Sequence, residues 1–575
     1  MKIGIIKKLP SPLRKIDWKK IIPFLIIALI FFINTFHEEY PDEYDSLVGG
    51  KYILEGKIPY RDWFQHHQPG AYLLAAFILP FSGQSFVKFR VLLAFVFFLI
   101  NLAGYILIKK RCKNFQLHFY LIFLLFLSIS ATYFWGQMLL ADTLSAYLLI
   151  PAYILLLIKE FSGESLEKDD LIIFSIFSFL VWFTSMTYIF ILLGLYFYVF
   201  LRYFRDKKKF NINKKFNINI INIFITLALP YFIFFLFFAL VGGLDDWYFA
   251  NIFYNGRYYI YNYPKPLGTP INPFRYAIVI ANNFLSEFFP LLTGVKNFDF
   301  GEPFNITLAL SNVALLSLLI LKRKYKFIFP FLITLIYSCS RSNPFGIHET
   351  DYQASVYILF SFINGSFALF NLAQLIDDKK EILSKKLVGS FLFLILLIYW
   401  SFNSYFVSLR FFQKFYLKYM GQAPLIYDRP EVAPFVNKLV KKDEYSWIGP
   451  FDFKELFYLN AKVPSKYHWF LDHASKIDKI KQEMITDFDK NKPAVIVFRR
   501  NYAPWGGDPK TFNYFFTDFL EKNYFRIFEL EDGHKYHWKI ANTQHFDIDG
   551  DFYFEKNKKE EMIKKLIELG FLEEK

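Results

Sequence analysis

Long runs of Phe, Ile and Leu recur through the first two-thirds of the chain, divided by short polar segments. A run of about 18 or more apolar residues is long enough to cross a bilayer as a helix. The pattern predicts about eleven such spans, at about 21–36, 86–108, 115–133, 138–158, 171–186, 188–203, 220–241, 306–321, 327–339, 352–376 and 388–406. The apolar stretch 71–81 is too short for a span and reads as an interfacial or re-entrant helix. From about Leu409 charges become frequent and the apolar runs shorten. β-like runs at 445–448, 494–498 and 526–530 alternate there with helical ones at 476–488 and 512–522, and 556–572 reads as a charged amphipathic helix. The expected fold is therefore an α-helical polytopic membrane protein, residues 1–408, with outer loops 37–85 and 242–303. A small soluble α/β domain, 409–575, follows.

Composition supports this reading, with 54% hydrophobic and 22% aromatic residues among 575. The net charge of +15 is then read loop by loop, as orientation rather than as affinity for nucleic acid. The basic N-terminus and the clusters at 109–113, 205–215 and 322–326 fall on one side of the predicted topology, which assigns that side to the cytoplasm. The C-terminal domain then lies outside the cytoplasmic (inner) membrane. The first span ends in Asn34, Thr35, Phe36 and His37, without a small-residue cleavage pattern, and reads as a retained anchor. The two cysteines, Cys112 and Cys339, imply neither a disulfide framework nor a zinc site. The chain carries no phosphate-binding glycine motif with a Walker lysine and no dinucleotide fingerprint, so a substrate activated by other means is expected.

Candidate chemistry concentrates between His37 and Gly70, in HEEYPDEYDSLVGGKYILEGKIPYRDWFQHHQPG. Asp42 and Glu43 open a segment with helical periodicity. Asp42 reads either as an N-cap with Asp45 as its capping-box partner, or as a carboxylate that takes a proton from an acceptor hydroxyl. Asp142 starts the fourth span on the same side, as an N-cap or as a second acid. Arg90 stands near the outer end of the second span, as an interfacial anchor or a cation for a lipid-linked phosphate. Arg341 and His348, in RSNPFGIHETDY, read the same two ways. His66 and His67 are substrate-orienting candidates. Placed on a helix they would point apart, which disfavours one shared metal.

The Asp-Glu pair after the first span and the run GKYILEGKIPYRDWFQHHQPGAYLL resemble the first outer loop of GT-C-type membrane glycosyltransferases, a group that includes protein O-mannosyltransferases and the lipid A aminoarabinose transferase. The resemblance implies a polyprenyl-phosphate-linked sugar donor, a lipid, glycan or protein acceptor, and inverting transfer outside the cytoplasm. By the same resemblance Asp42 is the base, Glu43 supports it, Asp142 is the second acid, and Arg90 and His348 contact the donor phosphate. A divalent metal is left open. Here Gln68-Pro69 stands where a Lys-Pro or Pro-Pro pair is usual, and Glu349 follows His348 where an aromatic residue often does. Two other classes compete: a transporter or flippase of lipid-linked glycans, and a non-catalytic part of an export assembly.

Overall fold

The computed structural model describes residues 18–112, 116–208, 216–259, 277–282, 284–286, 288, 303–339, 352–421, 429–469, 476–500, 502, 514–529 and 535–574. The membrane region opens with α1 (Trp18–Asn34), α2 (Pro41–Leu54), α3 (Gly70–Ser82), α4 (Phe86–Arg111) and α5 (His118–Ser130). It continues with α6 (Ala141–Ser162), α7 (Lys168–Thr184), α8 (Ile189–Lys208), α9 (Phe216–Leu240) and the short α10 (Leu244–Tyr248). Helices Pro303–Leu321, Ile328–Tyr337, Ser355–Asp377 and Leu383–Tyr419 complete it. A helix thus occupies each of the stretches expected to span.

Length divides them. Among the described residues, six helical stretches are long and apolar enough to cross a membrane alone: Phe86–Arg111, Ala141–Ser162, Met186–Tyr203, Phe304–Leu321, Tyr352–Asp377 and Leu383–Lys418. A seventh arises if Ile225–Leu240 and Leu244–Tyr258, bent by 119° to one another, form one span. Ile21–Asn34, His118–Tyr133 and Tyr325–Tyr337 are shorter apolar helices. The figure of eleven counted apolar runs, and a run does not reveal where its helix stops.

α6 is buried on nearly all sides, as expected for a helix that is apolar all round at the centre of a bundle. Its Tyr153 hydroxyl donates to Asn364 Oδ1 at 3.0 Å, Asn364 donates to Asn312 at 2.8 Å, and Asn312 donates to Ser361 at 2.7 Å. This neutral chain ties three helices together where no water is available to satisfy the amides.

α3 is a 13-residue apolar helix, short of a spanning length, as the pattern predicted. It lies against α2 at very close range because α2 carries Gly49 and Gly50. A Cβ on Gly50 would lie 2.7 Å from the Ala75 Cβ and 2.8 Å from the Ala76 amide nitrogen.

The last membrane helix runs unbroken through residue 408 to Tyr419. Beyond it, β1 (Ser446–Gly449), β2 (Val495–Phe498), β3 (Tyr524–Phe525), β4 (Tyr536–Trp538), β5 (Phe552–Glu555) and β6 (Leu572–Glu574) alternate with helices. Four strands form a sheet in the order β1-β2-β5-β3. β1 and β2 are parallel, with Trp447 opposite Ile496, and β5 is antiparallel to β2. The expected strand at 526–530 is instead a turn, Ile527–Glu529, because the Arg526 amide and guanidinium both bond to Glu529. The predicted terminal helix is present as Lys559–Glu568.

This sheet domain sits on α2. The Lys51 ammonium donates to the carbonyls of Leu456 at 3.3 Å, Phe457 at 3.2 Å and Leu459, at the end of helix Phe453–Tyr458. The Phe64 amide donates to the Lys466 carbonyl at 2.8 Å, and Lys454 pairs with Glu39 at 2.7 Å. α2 is therefore the element shared by both regions. Gly50→Val is expected to lower stability by about 1–3 kcal/mol, since the obstructing atoms include backbone that has nowhere to move. Thermal unfolding of the detergent-solubilised variant beside wild type measures it.

Candidate active site

Pro41 occupies the first turn of α2 and Tyr40 the cap position, with no side-chain capping bond. Asp42 and Glu43 both lie in that first turn, where the helix dipole favours negative charge. The capping-box alternative for Asp42 and Asp45 is therefore not what forms. Successive residues diverge by about 100° around a helix, so the acids here face different surroundings.

Glu43 points inward and is fully buried. Its carboxylate pairs with the Arg90 guanidinium and accepts the Leu139 amide at 3.1 Å. Arg90 is 1% exposed and also donates to the carbonyls of Glu38 at 2.9 Å, His37 at 3.4 Å and Thr35 at 3.5 Å. Its expected phosphate contact is thus not where its charge is directed. A desolvated cation needs a counterion and several acceptors, and Glu43 with three carbonyls supplies both.

Asp42 is half-buried and accepts a hydrogen bond from the Tyr352 hydroxyl at 2.8 Å. Beside it stand Tyr40, Trp135 and Tyr352, with ring centroids 4.4–5.9 Å apart. Asp142 lies in the first turn of α6 and accepts from the Tyr188 hydroxyl at 2.7 Å. Leu139, three residues before Asp142, is the residue whose amide binds Glu43, while Ser46 donates to its carbonyl at 3.0 Å. The starts of α2 and α6 are therefore bonded together, each carrying an acid engaged by a tyrosine.

His66 and His67 lie in an irregular segment, not on a helix, and their rings approach to 4.0 Å between centroids. Off a helix, the two rings are not held apart by helical geometry. Asn255 donates to the His66 carbonyl at 2.7 Å and Tyr60 to that of His67 at 2.9 Å, fixing the turn. Among the described residues no three His, Cys, Asp or Glu side chains converge as metal ligands. Arg341 and His348 lie outside the described residues.

Asp45, expected only as the capping-box partner of Asp42, lies on the buried face of α2. Gln65 Nε2 lies 2.8 and 2.9 Å from its two oxygens, and Tyr72 Oη lies 3.0 Å from one of them. Gln65 Oε1 accepts the His66 amide at 2.8 Å, so Asp45 also holds the histidine turn. Burial, followed by the charge of Asp42, pushes the Asp45 carboxyl from its ordinary 3.8 up to about 8. The signal available was the three-residue spacing of Asp42 and Asp45, which stacks them along one side of α2.

The fold and this cluster define a multi-helix membrane protein with an acidic, aromatic-rimmed centre at one end of its bundle. No known family's sequence profile matches the chain, and no curated protein matches it in sequence. Among solved structures it is similar to the crystal structure of ArnT from Cupriavidus metallidurans bound to undecaprenyl phosphate. The likeness is at 11% identity over 84% of this chain and 93% of that chain, with a TM-score of 0.42. At that score it carries no argument, and the chemistry rests on this chain's own residues.

Two outcomes are expected. Glu43→Ala leaves Arg90 buried without its counterion and is expected to cost about 3–5 kcal/mol, while the double variant Glu43→Leu/Arg90→Met recovers part of that loss. Denaturant melts of the three proteins measure both. Between pH 3.8 and about 8 the folded state keeps a proton on Asp45 that the unfolded chain has released. The Asp45 contribution to stability is therefore fully present below that window and declines as pH rises through it. Thermal unfolding against pH is expected to show this decline for wild type and to show it flattened in Asp45→Asn, whose amide imitates the protonated carboxyl.

Proposed function

We propose that the chain is an inverting glycosyltransferase that moves a sugar from a polyprenyl-phosphate donor to an acceptor hydroxyl at the outer face of the cytoplasmic membrane. The observation that carries this reading is Asp42, a half-buried carboxylate in the first turn of α2, oriented by Tyr352 and rimmed by aromatic rings. In this reading Asp42 takes the proton of the acceptor hydroxyl as its oxygen bonds to the anomeric carbon. The bond from that carbon to the phosphate oxygen breaks, and the polyprenyl phosphate leaves from the opposite face with its electron pair. This is the geometry of an inverting glycosidase with an acceptor in place of water.

Asp142, oriented by Tyr188, acts as the second acid of the site, and His66 and His67 orient the substrate. Glu43 and Arg90 act through the backbone, by fixing the start of α2 against the approach to α6. The transporter alternative draws less support. The described mid-bundle polar chain of Tyr153, Asn364, Asn312 and Ser361 is uncharged and bonded to itself, unlike the charged or broken-helix sites expected of transporters.

Purified protein given radiolabelled polyprenyl-phosphate sugars and membrane extract is expected to transfer label. Asp42→Asn, with folding checked by gel filtration, is expected to lose about 10²–10⁴-fold in rate. Equal transfer by both proteins would remove Asp42 as the base. Tyr352→Phe deletes a hydrogen bond that favours the charged carboxylate, so the acid limb of kcat/KM is expected to move to higher pH.

A further inference from the structure

β1 and β2 are parallel neighbours, so the chain leaves both at the same edge of the sheet, through residues 449–452 and 499–500. Parallel α/β sheets bind ligands outside the carboxyl ends of their strands. In this protein that edge is joined directly to the start of α2. Asp452 immediately precedes helix Phe453–Tyr458, whose Phe457 ring lies 6.3 Å from Tyr44. Lys454 of the same helix pairs at 2.7 Å with Glu39, three residues before Asp42.

The side chains on this edge are planar. Asp452 pairs through both oxygens with Arg499, one contact being 3.2 Å. The Arg499 guanidinium lies 3.7 Å from the centroid of the Tyr502 ring. The Phe451 ring lies 5.9 Å from Trp469, which is in turn 5.4 Å from His66. Phe451 and Tyr502 remain partly exposed, while the paired Asp452 and Arg499 side chains keep only 9% and 11% of their surface open. Burial raises the Tyr502 phenol, Arg499 opposes the rise, and Asp452 adds to it, with a last, smallest contribution from Asp42. The edge thus runs from the neighbourhood of Asp42 to His66.

We propose that this strand edge is a saccharide-binding subsite that presents a glycan acceptor to the Asp42 centre. A sugar ring has apolar C–H faces and a rim of hydroxyls. Tyr502 and Phe451 offer ring faces for the first, and the Asp452–Arg499 pair offers fixed acceptors and donors for the second. A lipid chain would instead fit a continuous apolar groove, and one exists elsewhere. A cavity of about 500 Å³ lined by Ile53, Pro69, Leu73, Phe183, Phe234 and Phe238 lies beside α2 and α3. The choice of reacting hydroxyl rests on the transferase reading. The binding of saccharide does not.

The test is therefore binding rather than transfer. Full-length protein in detergent is titrated with a panel of hexose and N-acetylhexosamine di- and tetrasaccharides and followed by saturation-transfer NMR. Wild type is expected to bind at least one member. Tyr502→Ala is expected to bind it about tenfold more weakly, on the scale of one lost aromatic contact. Tyr502→Phe keeps the ring, and Tyr514→Ala, an exposed aromatic at the start of helix Tyr514–Asn523, controls for general damage; both are expected to bind as wild type does. Unchanged binding in Tyr502→Ala, loss in the Tyr514→Ala control as well, or no binding of any panel member by wild type would each overturn the subsite. None of these results depends on whether Asp42→Asn still transfers sugar, so the subsite and the catalytic reading fail separately.

Discussion

Glu43 and Arg90 hold opposite charges with neither side chain exposed to water. Two bare ions in such a place are costly, and the cost is offset only where each is fully paired and hydrogen-bonded. Meeting that condition fixes much of one end of the bundle. Arg90 draws in the carbonyls of Thr35, His37 and Glu38, and Glu43 draws in the Leu139 amide. The ends of α1 and α4, the start of α2 and the approach to α6 are thereby locked together. Asp42 is the neighbour of Glu43 in that locked turn, so the direction it faces is set by a pair that need never touch substrate.

A second cation performs the same task toward the C-terminal domain. Burial lowers the Lys51 ammonium from its ordinary 10.5 to about 8, while the carbonyls at the end of helix Phe453–Tyr458 accept its protons. α2 thus carries Asp42 at its start, the membrane lock one residue later, and the dock for the sheet domain near its end. Its glycine pair lets α3 pack underneath without a layer of side chains between them. One fourteen-residue helix therefore links catalytic candidate, bundle and C-terminal domain, which is why the densest polar stretch in the sequence is also the structural junction.

Much of this was legible in the sequence because apolar runs and charge clusters are local signals. The helix positions, the short helix after Gly70 and the helix–strand alternation of the last third all follow from periodicity. What was hidden depends on partners remote in sequence. Arg90 looked like a cation awaiting a phosphate because nothing local reveals that Glu43, 47 residues earlier, already faces it. Asp45 looked like no more than a capping-box partner of Asp42 because Gln65 and Tyr72 reach it only after the loop folds back. Tyr352 lies 310 residues from Asp42. The strand expected at 526–530 failed for a local reason, since the Arg526–Glu529 pair closes a turn that a β-like composition does not exclude.

The most direct measurement is a cryo-EM structure of the protein in lipid nanodiscs loaded with a polyprenyl phosphate, the leaving group of the proposed reaction. The expected result is phosphate density beside the starts of α2 and α6, set back from Asp42 by the width of one sugar ring, with the sheet domain seated on α2. Phosphate density at a site remote from both acids would contradict the assignment of this cluster as the centre of chemistry.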